Sequence, residues 1–467
     1  MTGPVDVDLP DGFQVQIDPR CARKGDLHHL VGGSPTRVMR LSDAALGMTS
    51  ADGRIAVHDA STRVLARTLL DSGIGLPRPM QGPSTDEVTV VIPVRGNQSG
   101  VDALLTALRG LRVIVVDDGS PEPIRADGEG VRLIRFDENR GPAAARNAGV
   151  AAAETDFVAF LDSDTLPVSD WLTMLLAHFS DPKIAIVAPR VIGRRIRGRG
   201  ATVAKYANAH SSLDMGPNEA PVVPGSPKPY VPSAAMVVRR SAFLGFDESL
   251  RVAEDVDLCW RTHEAGWRVY YDPVAQVRHD HRESLRRLLD RHRYYGTGAA
   301  HLASRHGPTA APVMSSLTMF AGVVALLTRT RIGLLVAAVI GLRAVYKTRG
   351  LLTGVPGRDV IAARAVGRGF GFGLLQAAQA LLRHYWPVTL VVAVVWPSFR
   401  RLVWQLALAE GVVSWFRSEV LESRVTRVGP VGFVLMRRLD DLAYGTGLWQ
   451  GALSHASLGA LRPKLTV

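Results

Sequence analysis

The sequence predicts an α/β protein with a doubly wound, mostly parallel sheet at its centre, a small α/β unit before it and a helical region after it. Three observations predict this. The chain has 467 residues, too many for one hydrophobic core. Between residues 86 and 285, short apolar runs alternate with segments of helical period, the β-α-β rhythm of a parallel sheet covered on both faces. From residue 286 to 467, arginine and alanine dominate and the apolar runs lengthen.

Residues 1–85 read as a small N-terminal unit and a linker. Phe13, Val15 and Ile17 alternate with Gln14 and Gln16, which is a strand pattern. Residues 37–41 read as a second strand, and Ser42-Asp43 caps a short helix through Ala44, Ala45 and Leu46. Residues 61–70 carry Val64, Leu65, Thr68 and Leu69 at helical spacing until Asp71-Ser72-Gly73 stops them. The prolines of Leu76-Pro77-Arg78-Pro79, through Pro83-Ser84, read as the linker.

In the central region, Val88-Thr89-Val90-Val91-Ile92 is the near-continuous apolar run of a strand buried on both faces. Further strands are expected over 112–116, 131–136 and 157–161, with helices over 101–108, 142–153 and 171–179. Ligands of such sheets bind beyond the carboxyl ends of the strands, so the residues just after each strand matter most.

The C-terminal region has apolar runs at 316–327, 332–342, 370–382, 387–396 and 402–415, with Arg329, Arg331, Arg383, Arg400 and Arg401 between them. Each run falls short of the roughly twenty residues needed to cross a bilayer. Three readings stand: helices of a C-terminal bundle, helices lying on a membrane surface, or spanning helices.

Composition narrows the partners. Formal net charge is +12, from 55 Lys and Arg against 43 Asp and Glu, which favours anionic ligands or surfaces. The densest basic run, Arg194-Arg195-Ile196-Arg197-Gly198-Arg199, lacks the interleaved aromatics of a single-strand platform, so no nucleic acid is expected. Cys21 and Cys259 lie far apart, which excludes zinc ribbons and disulfide scaffolds and fits a reducing, cytoplasmic setting. Residues 1–20 hold Asp6, Asp8 and Asp11 and no long apolar run, unlike a secretory signal.

Four places carry chemistry. The first strand runs into Pro93-Val94-Arg95-Gly96-Asn97 and the second into Asp117-Asp118-Gly119-Ser120, where carboxylates can accept from a base or from sugar hydroxyls. Asn139-Arg140-Gly141 opens a helix containing Arg146, and an arginine near a helix start suits phosphate oxygens. The fourth strand ends in Asp162-Ser163-Asp164. Two carboxylates so close after a buried strand call for a positive partner, and a divalent cation such as Mg²⁺ or Mn²⁺ is the usual one. Last come Glu254-Asp255-Val256-Asp257-Leu258-Cys259-Trp260-Arg261 and Val277-Arg278-His279. The acidic triplet is either an ordinary helix-start charge bias or the seat of a general base.

These segments, with Ser233-Ala234-Ala235-Met236 and Gly245-Phe246-Asp247-Glu248, occur in the order found in the family 2 glycosyltransferases, and the chain resembles that inverting group over about 200 residues. The resemblance implies a GT-A fold, a UDP-sugar donor and a divalent metal. It also implies roles: Pro93, Arg95, Asp117, Asp118, Arg146 and Asp162 for the nucleotide sugar, Asp164 and His279 for the metal, Asp255 as catalytic base, and Glu254 and Trp260 on the acceptor side. With its flanking regions, the chain resembles most the mycofactocin-system branch of the family in mycobacteria. That implies β-1,4 glucosylation of a modified-peptide (premycofactocin-type) acceptor at or near the inner face of the cell membrane. Residues 10–75 resemble small winged-helix modules that bind precursor peptides. The competing expectations are a lipid or cell-wall polysaccharide acceptor, and a catalytically silent binding protein on the same scaffold.

Overall fold

The computed structural model describes residues 8–23, 26–194, 202–280, 284–421 and 428–466. The basic run from Arg195 to Arg199, and His281, lie outside the described residues. By contact the chain forms two units, one of residues 1–195 and 211–281, the other of residues 196–210 and 282–467.

In the first unit, Gln14–Ile17 pairs antiparallel with Arg54–Ala56 on one side and Gly75–Arg78 on the other. Part of the expected linker is therefore an edge strand. Leu76 is buried beneath it, and Pro77 is tolerated because an edge strand has one unpaired side. Helix Ala60–Ser72 begins at Asp59, whose side chain accepts from the Thr62 amide, and ends at left-handed Gly73. It buries Ala66, Leu69 and Leu70 in a core with Phe13, Val15, Ile17 and Ile55. The expected short helix is Asp43–Gly47, capped by Ser42. A second small antiparallel sheet joins Ala22–Arg23, Asp26–Gly32 and Arg37–Arg40.

This N-terminal part is tied to the central sheet by paired charges. Arg67 forks onto Asp181 at 3.0 and 2.8 Å, and Arg78 forks onto Glu219 at 3.1 Å to each oxygen. Glu219 also accepts from the Tyr270 hydroxyl at 2.9 Å, and Arg268 pairs with Asp71.

The central sheet runs in the spatial order Thr165–Pro167, Arg268–His279, Ile184–Gly193, Ala235–Arg239, Phe157–Leu161, Val88–Val94, Arg112–Asp117, Val131–Arg135. Val88–Val94 pairs in parallel with Phe157–Leu161 and Arg112–Asp117, and Arg112–Asp117 with Val131–Arg135. Ala235–Arg239 runs antiparallel to both neighbours, so the sheet is mixed. Val88–Val94 and Phe157–Leu161 are buried along their whole length, which explains their unbroken apolar sequence. Helices Gln98–Ala107, Pro142–Ala152 and Trp171–Ala177 connect the strands as the periodicity predicts.

The second unit is helical: Leu285–His306, Leu317–Leu327, Arg331–Leu351, Arg358–Gln379, Trp386–Val395, Pro397–Phe416 and Pro430–Ser454. Leu285–His306 and Pro430–Ser454 cross closely: a Cβ on Gly447 would meet the Arg293 carbonyl oxygen at 1.7 Å. A buried polar network joins helix Thr202–Ala209 to these helices. Tyr206 donates to Asp440, His292 also pairs with Asp440, and Arg437 and Arg438 both reach Glu410. Burial alone would raise Glu410, but the Arg437 and Arg438 guanidiniums hold it down at about 2. Among the described residues no single helix is long and apolar enough to cross a membrane, although the bent pair Arg358–His384 and Trp386–Val395, at 92°, passes by length and composition.

Candidate active site

Three parallel strands end side by side, and the loops beyond them are stitched together by side chains. Asn97 accepts from the Gly100 amide at 3.2 Å and starts helix Gln98–Ala107, while its amide nitrogen donates to the Ser163 carbonyl at 2.9 Å. The loop after Val88–Val94 is thus bonded to Asp162-Ser163-Asp164. Gly96 donates to the Ser120 hydroxyl at 2.8 Å, joining the same loop to the one after Arg112–Asp117.

Asp117 and Asp118 play different parts. Asp117 is fully buried and accepts from the Ser120 and Ile124 amides at 2.9 and 3.2 Å and from the Arg135 guanidinium. Burial would raise this carboxyl, but these donors hold it below its ordinary value. Expected to touch the nucleotide, Asp117 instead has both oxygens engaged in shaping the loop that presents Asp118. Asp118 accepts from the Arg140 amide at 2.7 Å and from the Gly141 amide at 3.0 Å, which brings the Asn139-Arg140-Gly141 turn onto the second strand. Between them, Gly119 has φ +60°, and a Cβ there would meet the Glu138 carbonyl carbon at 2.5 Å. Pro93 is buried in the strand, and Arg95 stands exposed at its end.

Arg146 is the hub. It sits in the second turn of helix Pro142–Ala152, is buried, and donates to Asp162 at 2.6 Å and to Glu254 at 3.2 Å. Its guanidinium lies 5.4 Å from the centre of the Phe246 ring, and its Nε–H has no hydrogen-bond partner. One arginine therefore pairs with one carboxylate from the Asp162-Ser163-Asp164 turn and with one from the start of helix Glu254–Glu264, leaving one negative charge over. The next residue, Asn147, pins the Gly245-Phe246-Asp247-Glu248 loop through Phe246, donating to its carbonyl at 2.8 Å and accepting from its amide at 2.9 Å.

Asp255 begins the same helix. It accepts from its neighbour Val256 at 2.8 Å and from the Ser233 amide at 3.3 Å. Burial, then the adjacent Glu254 carboxylate, pushes it up to about 7. That is the range in which a carboxylate serves as a proton acceptor near neutrality. On the far side of the sheet, Thr165 pairs in register with His279, which brings Asp164 Oδ2 to 3.3 Å from His279 Nε2.

The model for glycosyl transferase family 2 matches residues 89–243. A pre-mycofactocin glycosyltransferase of Mycobacterium tuberculosis is 46% identical over 470 residues, covering 98% of this chain and 98% of its own. The chain belongs to glycosyltransferase family 2. The O-antigen chain rhamnosyltransferase RfbN of Salmonella typhimurium is 29% identical over 235 residues, 47% of this chain and 73% of its own. Among solved structures, the mannosyltransferase PcManGT from Pyrobaculum calidifontis, in complex with GDP-Man and Mn²⁺, aligns over 63% of this chain and 90% of its own at 16% identity and a TM-score of 0.35.

A glycosyltransferase of this family has the GT-A fold, and the mixed sheet and its loops are that fold. The chain is accordingly an enzyme, not a silent scaffold. The family implies a metal. Asp164 and His279 offer one carboxylate oxygen and one imidazole nitrogen, and among the described residues no group of three or more His, Cys, Asp or Glu is placed to hold an ion. Two such donors fit a hard divalent ion that keeps its remaining positions for waters and substrate phosphate oxygens. Asp162 is committed to Arg146 through one oxygen.

Trp260, expected on the acceptor side, is a second correction after Asp117: it is only 5% exposed and its indole donates to the Pro229 carbonyl at 2.9 Å, so its ring is packed away. The helix is buried on more than one side here, with Leu258, Cys259 and Trp260 all covered, and Trp260 supports the 229–233 segment that leads to Ser233. Burial pushes the Cys259 thiol up to about 12, so it stays neutral. Sequence reasoning missed Arg135 and gave Asn97 and Asn147 no role of their own. Arg135 was findable: in the parallel pairing it stands directly opposite Asp117, a charged residue ending one strand beside an acid ending the next.

Proposed function

We propose that the chain transfers glucose from UDP-glucose, with inversion and in β-1,4 linkage, to a peptide-derived pre-mycofactocin acceptor. The observation that carries this reading is the match to the Mycobacterium tuberculosis pre-mycofactocin glycosyltransferase over 98% of both chains. That match takes in both flanking regions, where acceptor choice has room to reside, whereas the rhamnosyltransferase match covers 47% of this chain.

In the proposed reaction, Pro93, Arg95 and Asp118 hold the base and ribose, and Arg146 with Asp162 orients the sugar-diphosphate end. Asp255, as carboxylate, takes the proton of the acceptor hydroxyl while that oxygen forms a bond to the anomeric carbon. The bond from that carbon to the diphosphate oxygen breaks on the opposite face, and its electron pair leaves with UDP, so the configuration inverts. Positive charge on the sugar ring peaks as the two bonds exchange. A divalent cation held by Asp164 and His279 supplies positive charge to the diphosphate oxygens when bound. Glu254, held by Arg146, keeps a negative charge beside Asp255 that favours proton uptake by it.

The test is a donor screen on the purified full-length chain with Mg²⁺ or Mn²⁺, a panel of UDP- and GDP-sugars, and two acceptors: the modified peptide and a lipid-linked sugar. Mass spectrometry should show hexose added to the peptide from UDP-glucose. Transfer to the lipid-linked acceptor alone would sink the proposed acceptor while leaving the reaction class intact.

A further inference from the structure

We infer that the C-terminal helices dock the enzyme on the surface of a bilayer containing anionic lipid, lying along the headgroup plane. The inference is independent of the acceptor. Its first support is an apolar stripe left exposed among the described residues. On helix Arg331–Leu351, the residues Ile332, Leu335, Val339, Leu342 and Tyr346 recur at steps of three and four, so they share one face, and each is more than half exposed. The opposite face is the packed one, with Gly333 and Ala337 buried. A second set follows on Trp386–Val395 and Pro397–Phe416, where Val388, Val391, Val395, Trp396, Trp404 and Leu408 are all exposed. Leaving this many aliphatic and indole side chains in water is costly, so something covers them.

Charge says what. Residues 317–409 contain eleven Lys and Arg and a single acid, Asp359, so this stretch carries +10 of the chain's formal +12. Arg343, Lys347, Arg349, Arg400 and Arg401 are exposed on these same helices, and Arg364 is exposed on Arg358–Gln379. A second copy of the chain would bring ten like charges against ten, which opposes self-association through this face. A nucleic acid would meet the arginines but leave the aliphatic stripe in water. An anionic bilayer surface meets both needs: headgroup phosphates take the guanidiniums, and the acyl boundary takes Ile332, Leu335, Val339 and Leu342. Tryptophan and tyrosine suit the same interface, apolar in body and polar at one edge.

The experiment is flotation of full-length protein with vesicles of phosphatidylcholine alone or mixed with phosphatidylglycerol, beside light scattering without lipid. The expected result is flotation with the anionic vesicles, weakened by added salt and released by alkaline wash. The double variant Leu335→Glu with Leu342→Glu should lose roughly tenfold or more of that binding, and Arg400→Gln with Arg401→Gln should lose a comparable amount. Thermal melting checks that both variants fold; if either does not, the lipid and salt dependence of the unaltered protein still decides. Absence of flotation, equal flotation on neutral vesicles, or resistance to alkaline wash would each overturn surface docking. So would a dimer that Leu335→Glu with Leu342→Glu dissociates without changing flotation.

Discussion

At the scale of single residues, the site depends on how a few charges are matched. Asp255 has burial on one side and Glu254 on the other, so it holds its proton up to about 7. Replacing it with Asn should lower kcat by roughly a hundredfold to ten-thousandfold with substrate binding retained. The unaltered enzyme should gain kcat/KM as pH rises through about 7, and the Asn variant should lack that limb. The sign for stability is opposite. The folded state keeps a proton that the unfolded chain has released between its ordinary 3.8 and about 7, so Asp255 erodes stability as pH rises across that window. Melting curves of the Asn variant should show a shallower decline there. Arg146 gives a second prediction. Arg146→Met strands Asp162 and Glu254 without a counter-charge and should cost about 3 kcal/mol by denaturant titration. Arg146→Lys should recover only part, because one ammonium cannot address two carboxylates in the planar fork that the Nη atoms provide.

Elements matter here for where they place loops. Helix Gln98–Ala107 begins so close to the Asp162-Ser163-Asp164 turn that a Cβ on Gly100 would sit 1.9 Å from the Ser163 carbonyl oxygen. That oxygen already accepts from Asn97, so it has little room to move. Gly100→Ala should therefore push the helix start and the turn apart, costing about 1–3 kcal/mol of stability. Activity should fall more than that change in folding explains, since a shift of the turn displaces Asp162 and Asp164 together. Stability from chemical denaturation, set beside turnover of the folded fraction, separates the two effects. Helix Gln98–Ala107 and the strands expected between 88 and 161 were legible from apolar period, whereas strands Ile184–Gly193, Ala235–Arg239 and Arg268–His279 were not expected. Neither was the strand Gly75–Arg78, because Pro77 and Pro79 signal a linker and only its pairing with Gln14–Ile17 shows an edge strand.

For the whole molecule, the N-terminal part and the central sheet act as one body through two forked ion pairs. The Arg67–Asp181 pair is largely shielded from solvent, and Arg78–Glu219 partly so. Arg67→Ala with Arg78→Ala leaves Asp181 buried without its partner and should cost about 3 kcal/mol. Limited proteolysis should then cut near residues 79–84 faster than in the unaltered chain. A rate unchanged by the double variant would mean that apolar packing, not charge, holds the two parts together.

The sequence by itself determined the α/β class, the strands that end at the site and the ordered motifs that carry the chemistry. These are local properties: burial on both faces demands unbroken apolar strands, and carboxylates at strand ends stand out against them. Only the tertiary structure decided which charges meet. Asp117 and Asp118 are neighbours in sequence, yet one is bound up by Arg135 and the other receives the Arg140-Gly141 turn. Arg146 reaches acids 16 and 108 residues away. Trp260, expected on the acceptor side, is buried and bonded to Pro229. Hydrogen bonding and desolvation depend on distance in space, and spacing along the chain does not encode that distance.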